Sequence, residues 1–145
     1  MSAQSIRDSI GVIGEGADRT LLRVLRVMYP HDAFPDGPYE RARDALLADA
    51  AASPRLAGVI AQGVRDLDTL DERPFADLSD ADATALLERI AGSDFFVAVR
   101  NKAFATLYDD HEVWALLRYE GPSFAQGGYL ERGFADLDWL PEPPL

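Results

Sequence analysis

The sequence predicts an all-α protein, a single-domain bundle of five or six helices followed by a long irregular C-terminal tail rich in aromatic residues, Gly and Pro. Three observations carry this. Apolar residues recur at the 3.6-residue helical period in segments that open on Asp, Ser or Pro. No convincing two-residue alternation of the kind strands need appears before the tail. From Asp109 onward glycines and prolines break the periodicity while large rings multiply: Trp114, Tyr119, Phe124, Tyr129, Phe134 and Trp139. The expected organisation is a flexible lead-in over 1–17, a helical domain over 18–110, and a tail over 111–145 belonging to the same domain.

Composition sets the outer limits. A chain of 145 residues that is 48% hydrophobic and 27% charged is an ordinary globular domain with room for a core. Its net charge of −11 repels phosphate backbones and anionic lipid, so neither nucleic acid nor a membrane is expected as partner. The absence of Cys removes thiol chemistry, disulfides and Cys-bound metals, and two histidines leave little for a His-based metal site. No apolar run approaches the roughly 20 residues that span a bilayer. The N-terminus carries neither a secretory hydrophobic run nor a twin-Arg pair. A cytoplasmic location is the expectation.

The lead-in contains Gly11, Gly14 and Gly16 in the order GxxGxG with no strand before it, which reads as a flexible segment rather than a phosphate loop. Asp18 is placed to cap a first helix reaching Met28, with Leu21, Leu22, Val24, Leu25 and Met28 on its apolar side. Arg19, Arg23 and Arg26 form a basic stripe at i, i+4 and i+7. That stripe suits either an acidic partner surface or the chain's own Asp and Glu.

Pro30, Pro35 and Pro38 force an ordered turn containing His31-Asp32, with Pro38 placed to open a helix over 39–51. Acid–base work by His31 would need a nucleophile and a third group, and nothing local supplies them. The turn's own backbone donors and acceptors are the expected partners of both side chains. Ser53-Pro54 reads as N-cap and first position of a helix through Leu56, Val59, Ile60, Gly63, Val64 and Leu67. The following Asp66, Asp68, Asp71 and Glu72 fail calcium-loop spacing, because Leu70 takes a ligand position and Asp71 the place that needs glycine.

Ser79 with Asp82 resembles a capping box for a helix carrying Leu86, Leu87 and Ile90, and Gly92 is placed as its stop. Asp94 can cap the most aromatic helix, with Phe95, Phe96, Val99, Ala103, Phe104, Leu107 and Tyr108, expected at the centre. Asp109-Asp110-His111-Glu112 is the densest group of potential ligands, and a polar loop into the tail is the plainer reading. Residues 113–119 fit a last helical turn or a short extended piece.

No recognised catalytic motif is present, so the tail is the positive signal. Its rings either wrap on the chain's own helices or form an obligate interface, whose cores favour aromatic residues and Arg.

Several pieces in order resemble one family: MYPHD (28–32), DLD (66–68), PFADLS (74–79) leading into a helix, GSDFFVAVRNKAFATLYDD (92–110) and WALLRYEGPSFAQGGY (114–129). Together they are similar to the gluconate 2-dehydrogenase subunit 3 family, small subunits of flavin-dependent dehydrogenases of the glucose–methanol–choline type. The resemblance covers about residues 20–141. It implies a helical, cofactor-free subunit that stabilises or matures a large flavoprotein oxidising sugars or other alcohols, with FAD in that partner. It transfers no catalytic, cofactor-binding or metal residue. The missing twin-Arg signal departs from the family pattern and favours a soluble cytoplasmic complex.

The expected function is therefore that of a non-catalytic subunit. Its expected partner-binding residues are Tyr119, Pro122, Phe124, Tyr129, Phe134 and Trp139 of the tail, with Arg19, Arg23 and Arg26. Trp114 is expected to pack inside. The alternatives are a small enzyme built on His31 or His111 with neighbouring carboxylates, and a self-contained helical adaptor or homodimer.

Overall fold

The structure, a computed structural model, describes residues 16–127. They form six α-helices and no strand. These are α1 (Ala17–Met28), α2 (Asp36–Ala52), α3 (Pro54–Thr69), α4 (Asp80–Arg89), α5 (Asp94–Leu107) and α6 (His111–Leu116), with 3₁₀ turns at Phe75–Asp77 and Ser123–Gln126.

Helix starts are where the sequence reading needs adjusting. Gly16, with φ of 89°, is the N-cap of α1, and its carbonyl accepts from the Arg19 and Thr20 amides at 3.1 Å; Asp18 sits in the first turn instead of capping. Helix α2 starts at Asp36 rather than 39, and Pro38 lies inside its first turn, where a missing N–H leaves no intrahelical bond unmade. Ser53 caps α3 as expected, its hydroxyl accepting from the Leu56 amide at 3.3 Å. Ser79 caps α4 through the Asp82 amide at 3.1 Å.

Two neighbouring assignments change together. Helix α4 stops at Arg89 with Ile90 as its cap, and Gly92 does not adopt the left-handed conformation that a glycine stop uses. The Ser93 amide donates to the Ile90 carbonyl at 2.8 Å, and the Ser93 hydroxyl accepts from the Phe96 amide at 3.1 Å. One serine thus closes the link and caps α5, displacing Asp94 to the first helical position.

The core gathers one seam from each helix. Leu21, Val24 and Leu25 of α1, Leu46 and Leu47 of α2, Ile60, Val64 and Leu67 of α3, and Leu86 and Leu87 of α4 are all buried. Helix α5 contributes Phe95, Val99, Ala103 and Leu107, a strict four-residue repeat. Each large apolar side chain so removed from water stabilises the fold by roughly 1.5–3 kcal/mol. Helix α2 packs most extensively on α5, while α1 touches α2, α3, α4, α5 and the Phe75–Asp77 turn. The centre expected of the aromatic helix is therefore shared with α1.

The polar side of α1 is tied to the same neighbours. Arg19 pairs with Asp77 at 2.5 Å, and Arg23 with Asp80 at 2.7 Å and the Leu78 carbonyl at 2.9 Å. Arg26 pairs with Asp36, donates to the Phe34 carbonyl at 2.9 Å and lies 4.2 Å above the Tyr39 ring. Buried Thr20 faces Asp68 at 3.4 Å, and that carboxylate also accepts the Phe75 amide at 3.1 Å.

Gly63 lets α3 and α5 approach closely. A Cβ there would lie 2.1 Å from Cγ of Phe95, whereas one at Gly58 on the same helix would meet nothing within 4 Å. Gly63→Ala is expected to destabilise the fold by about 1–3 kcal/mol through overpacking. Gly58→Ala is expected to stabilise by roughly 0.5–1 kcal/mol through helix propensity. Thermal melts followed by circular dichroism separate the two; matching shifts would remove the close-packing account.

Candidate docking surface

The C-terminal end of α5 meets the turn between α1 and α2 in a cluster of rings. The His31 ring stacks on Phe34 with centroids 4.3 Å apart, and its Nε2 lies 2.8 Å from the Tyr108 hydroxyl. The imidazole expected to serve backbone groups of the turn is therefore held by a phenol from α5. Its own carbonyl accepts from the Phe34 amide at 3.0 Å, and its amide donates to the Tyr39 hydroxyl at 3.4 Å. Fully buried Tyr39 in turn donates to the Tyr29 carbonyl, so the phenol closes the turn from inside. Tyr29 reaches α5, its hydroxyl donating to the Arg100 carbonyl at 3.1 Å and its ring lying edge-on to Tyr108 at 6.0 Å. Burial pushes the Tyr29 and Tyr108 phenols above their ordinary pKa.

The segment 109–119 is built onto this cluster. Asp110 ends the polar link and caps α6, accepting from the Glu112 amide at 2.9 Å and the Val113 amide at 3.4 Å. The same carboxylate takes Nε of Arg41 from α2 at 2.6 Å, and Arg41 also reaches Glu112 at 2.7 Å. The Arg41 guanidinium holds the Asp110 carboxyl below its ordinary range, and the pairing raises Arg41. Below the link, Val113 is buried, and the Trp114 indole donates to the Tyr108 carbonyl at 2.7 Å. The ring of Trp114 is stacked between neighbours, His111 at 4.6 Å and Tyr119 edge-on at 5.2 Å. Residues 111–116 are thus helical, and the irregular segment begins after them, not at 111. The Asp109–Glu112 group is a cap and an ion pair.

Beyond α6 the rings stop being covered. Tyr119 is 50% exposed and Phe124 94%, with Leu116 at 45% and Leu117 at 52%. Pro122 is exposed as well. Phe104, one turn before Tyr108 and 5.6 Å from its ring, is 62% exposed. Of the large hydrophobic residues exposed among those described, just Leu70 lies elsewhere in the chain. Tyr129, Phe134 and Trp139 lie outside the described residues.

The six expected partner residues that are described fall in two places. Tyr119, Pro122 and Phe124 stand together in sequence at the exposed end. Arg19, Arg23 and Arg26 are bound to the chain's own carboxylates on α1. Trp114, expected inside, is half-buried. Phe104, Leu116 and Leu117 join the exposed set and were not singled out from sequence. For Phe104 a signal existed: the seam of α5 repeats at 95, 99, 103 and 107, which turns 104 away from it.

The histidines stand in different settings. His31 lines an open cleft of about 290 Å³ with Arg23, Arg26, Asp32, Asp80 and Thr84. Among the described residues no hydrogen bond links it to Asp32 or Thr84, and no group of His and carboxylates has metal-holding geometry. His111 is exposed against Trp114. Among the described residues no helix is long and apolar enough to cross a membrane.

No family model, curated protein or solved structure matches this chain.

Asp110 gives the site a pH dependence. Because its folded pKa is depressed, it stabilises α6 above its ordinary value of 3.8, and that contribution is lost as pH falls through the lower folded value. Asp110→Ala, which removes cap and ion pair together, is expected to destabilise by about 1–2 kcal/mol at neutral pH. The gap from the parent protein should close in strong acid. Urea melts monitored by Trp fluorescence at several pH values check this; a gap unchanged down to the lowest pH would count against the clamp.

Proposed function

We propose that this chain is a non-catalytic small subunit whose C-terminal end docks on a larger protein, stabilising it or assisting its maturation. The observation that carries the reading is the exposure of Phe124, Tyr119, Leu116, Leu117 and Phe104 on a rigid base. Helix α6 is clamped by Arg41, and Trp114 is pinned to Tyr108, so the exposed rings follow an ordered support. Large apolar residues concentrated this way characterise interaction surfaces, and rigid aromatic anchors lose little entropy on binding.

The identity of the partner rests on the resemblance of residues 28–32, 66–68, 74–79, 92–110 and 114–129 to the gluconate 2-dehydrogenase subunit 3 family. On that basis the partner is a flavin-dependent oxidoreductase of the glucose–methanol–choline type acting on a sugar or another alcohol. FAD belongs to that subunit, this chain holds no cofactor of its own, and the complex is a cytoplasmic heterodimer. The arginine stripe of α1 drops out of the interface, because Asp77, Asp80 and Asp36 already occupy it.

Co-expression with a flavin-dependent oxidoreductase of that type from the same source is expected to raise the yield of both chains and give a single assembly of summed mass. Equal yield and separate species in both conditions would sink the subunit reading. Phe124→Ala is expected to weaken that assembly at least tenfold while leaving the melting temperature of the free chain unchanged, since the ring touches so little of its own fold.

A second reading has one observation in its favour, the cleft beside His31. Acid–base chemistry there requires turnover to vanish in His31→Ala, and turnover that survives that change removes it.

A further inference from the structure

A groove of about 380 Å³ lies beside the α5 seam, between the end of α1, α4 and α5. Val27, Met28 and Tyr29 form one wall, Leu87 and Ala91 another, and Phe96 and Arg100 the third. Phe96, Arg100 and Phe104 follow one another at four-residue spacing, so the α5 wall of the groove runs directly towards the exposed end. Rings bridge the same path: Tyr29 lines the groove, touches Tyr108, and Tyr108 touches Phe104. The groove and the exposed end are therefore two parts of one continuous strip of surface.

The charges of the groove are uneven. Arg100 is exposed and forms no ion pair among the described residues; its guanidinium meets just the neighbouring Asn101 side chain, at 3.4 Å. Arg19, Arg23, Arg26, Arg41 and Arg73, by contrast, each pair with a carboxylate of another element. Glu88 stands on the opposite, α4 rim. An incoming segment would meet an apolar floor, an uncommitted cation on the α5 side and an anion on the α4 side.

We infer that this groove is the second half of the docking surface and receives from the partner subunit a segment with an apolar anchor side chain and an adjacent carboxylate. The anchor enters between Met28, Leu87 and Phe96, and its carboxylate accepts from the Arg100 guanidinium. The inference rests on the proposed docking reading and deepens it by stating what the partner must present. An apolar side chain removed from water contributes here as in a core, and the charge pair sets the direction in which the segment lies.

The test uses the full chain in complex with the flavoprotein, with Ala91 replaced by the photo-crosslinking residue p-benzoylphenylalanine. Mass spectrometry of the irradiated complex is expected to map the crosslink to a partner segment that carries an aliphatic or aromatic residue beside Asp or Glu. Arg100→Glu should weaken assembly about tenfold, and restoring charge as Arg100→Lys should recover most of it. A complex that forms normally but crosslinks within residues 128–145 of this chain, to a second copy of it, or nowhere would overturn the groove inference and leave the docking reading standing. Failure of any complex to form overturns both.

Discussion

Helix α1 has two sides that must both be satisfied, and that constraint orders everything around it. Leu21, Val24 and Leu25 require burial, while Arg19, Arg23 and Arg26 on another side require acceptors. The fold answers by wrapping α2, α3, α4 and α5 round the apolar side and bringing one carboxylate from each flanking link to the basic one. Asp36 comes from the start of α2, Asp77 from the 3₁₀ turn and Asp80 from the start of α4. The individual pairs are partly exposed and contribute little each. Their effect is positional, because Asp36 and Asp80 open α2 and α4 and Asp77 closes the 3₁₀ turn, so each fixes where its element lies relative to α1. The Arg23 and Arg26 contacts with the Leu78 and Phe34 carbonyls do the same for the links themselves.

Local chemistry explains which features could be read in advance. Caps formed by Ser53 and Ser79 depend on a side chain reaching an amide three residues on, so they are visible in the residues themselves. The helical seams were legible for the same reason, as in the repeat Phe95, Val99, Ala103 and Leu107. Choices between adjacent candidates were not, since Ser93 and Asp94 cap equally well in isolation and the link from α4 decides between them. The basic stripe was legible as a stripe, but its carboxylates lie 10 to 58 positions away, and no local rule pairs them. The same holds for His31 and Tyr108, which are 77 residues apart.

The tail posed a different problem. Ring content alone could not say which aromatic residues pack and which face water, and the structure divides them by their place relative to α6. Trp114 still belongs to a helical turn and has a polar handle, so its indole can reach the Tyr108 carbonyl while its ring packs between His111 and Tyr119. Arg118, with φ of 55°, and Gly121, with φ of 91°, turn the chain out of that register. Past those turns, Phe124 has no helix of its own to lie against.

Tyr108 is the joint between these parts. Its hydroxyl meets His31, its carbonyl takes the Trp114 indole, and its ring touches Tyr29 and Phe104. One residue thus connects the turn after α1, the wall of the groove and the base of the exposed end. Burial raises the phenol above its ordinary pKa. Loss of the hydroxyl alone would remove one hydrogen bond from the His31 ring, which keeps its stack on Phe34, whereas loss of the ring would also release Tyr29 and Phe104 from their edge contacts. The wall of the groove and the exposed Phe104 are therefore set relative to each other by packing at Tyr108, and only secondarily by its hydrogen bond.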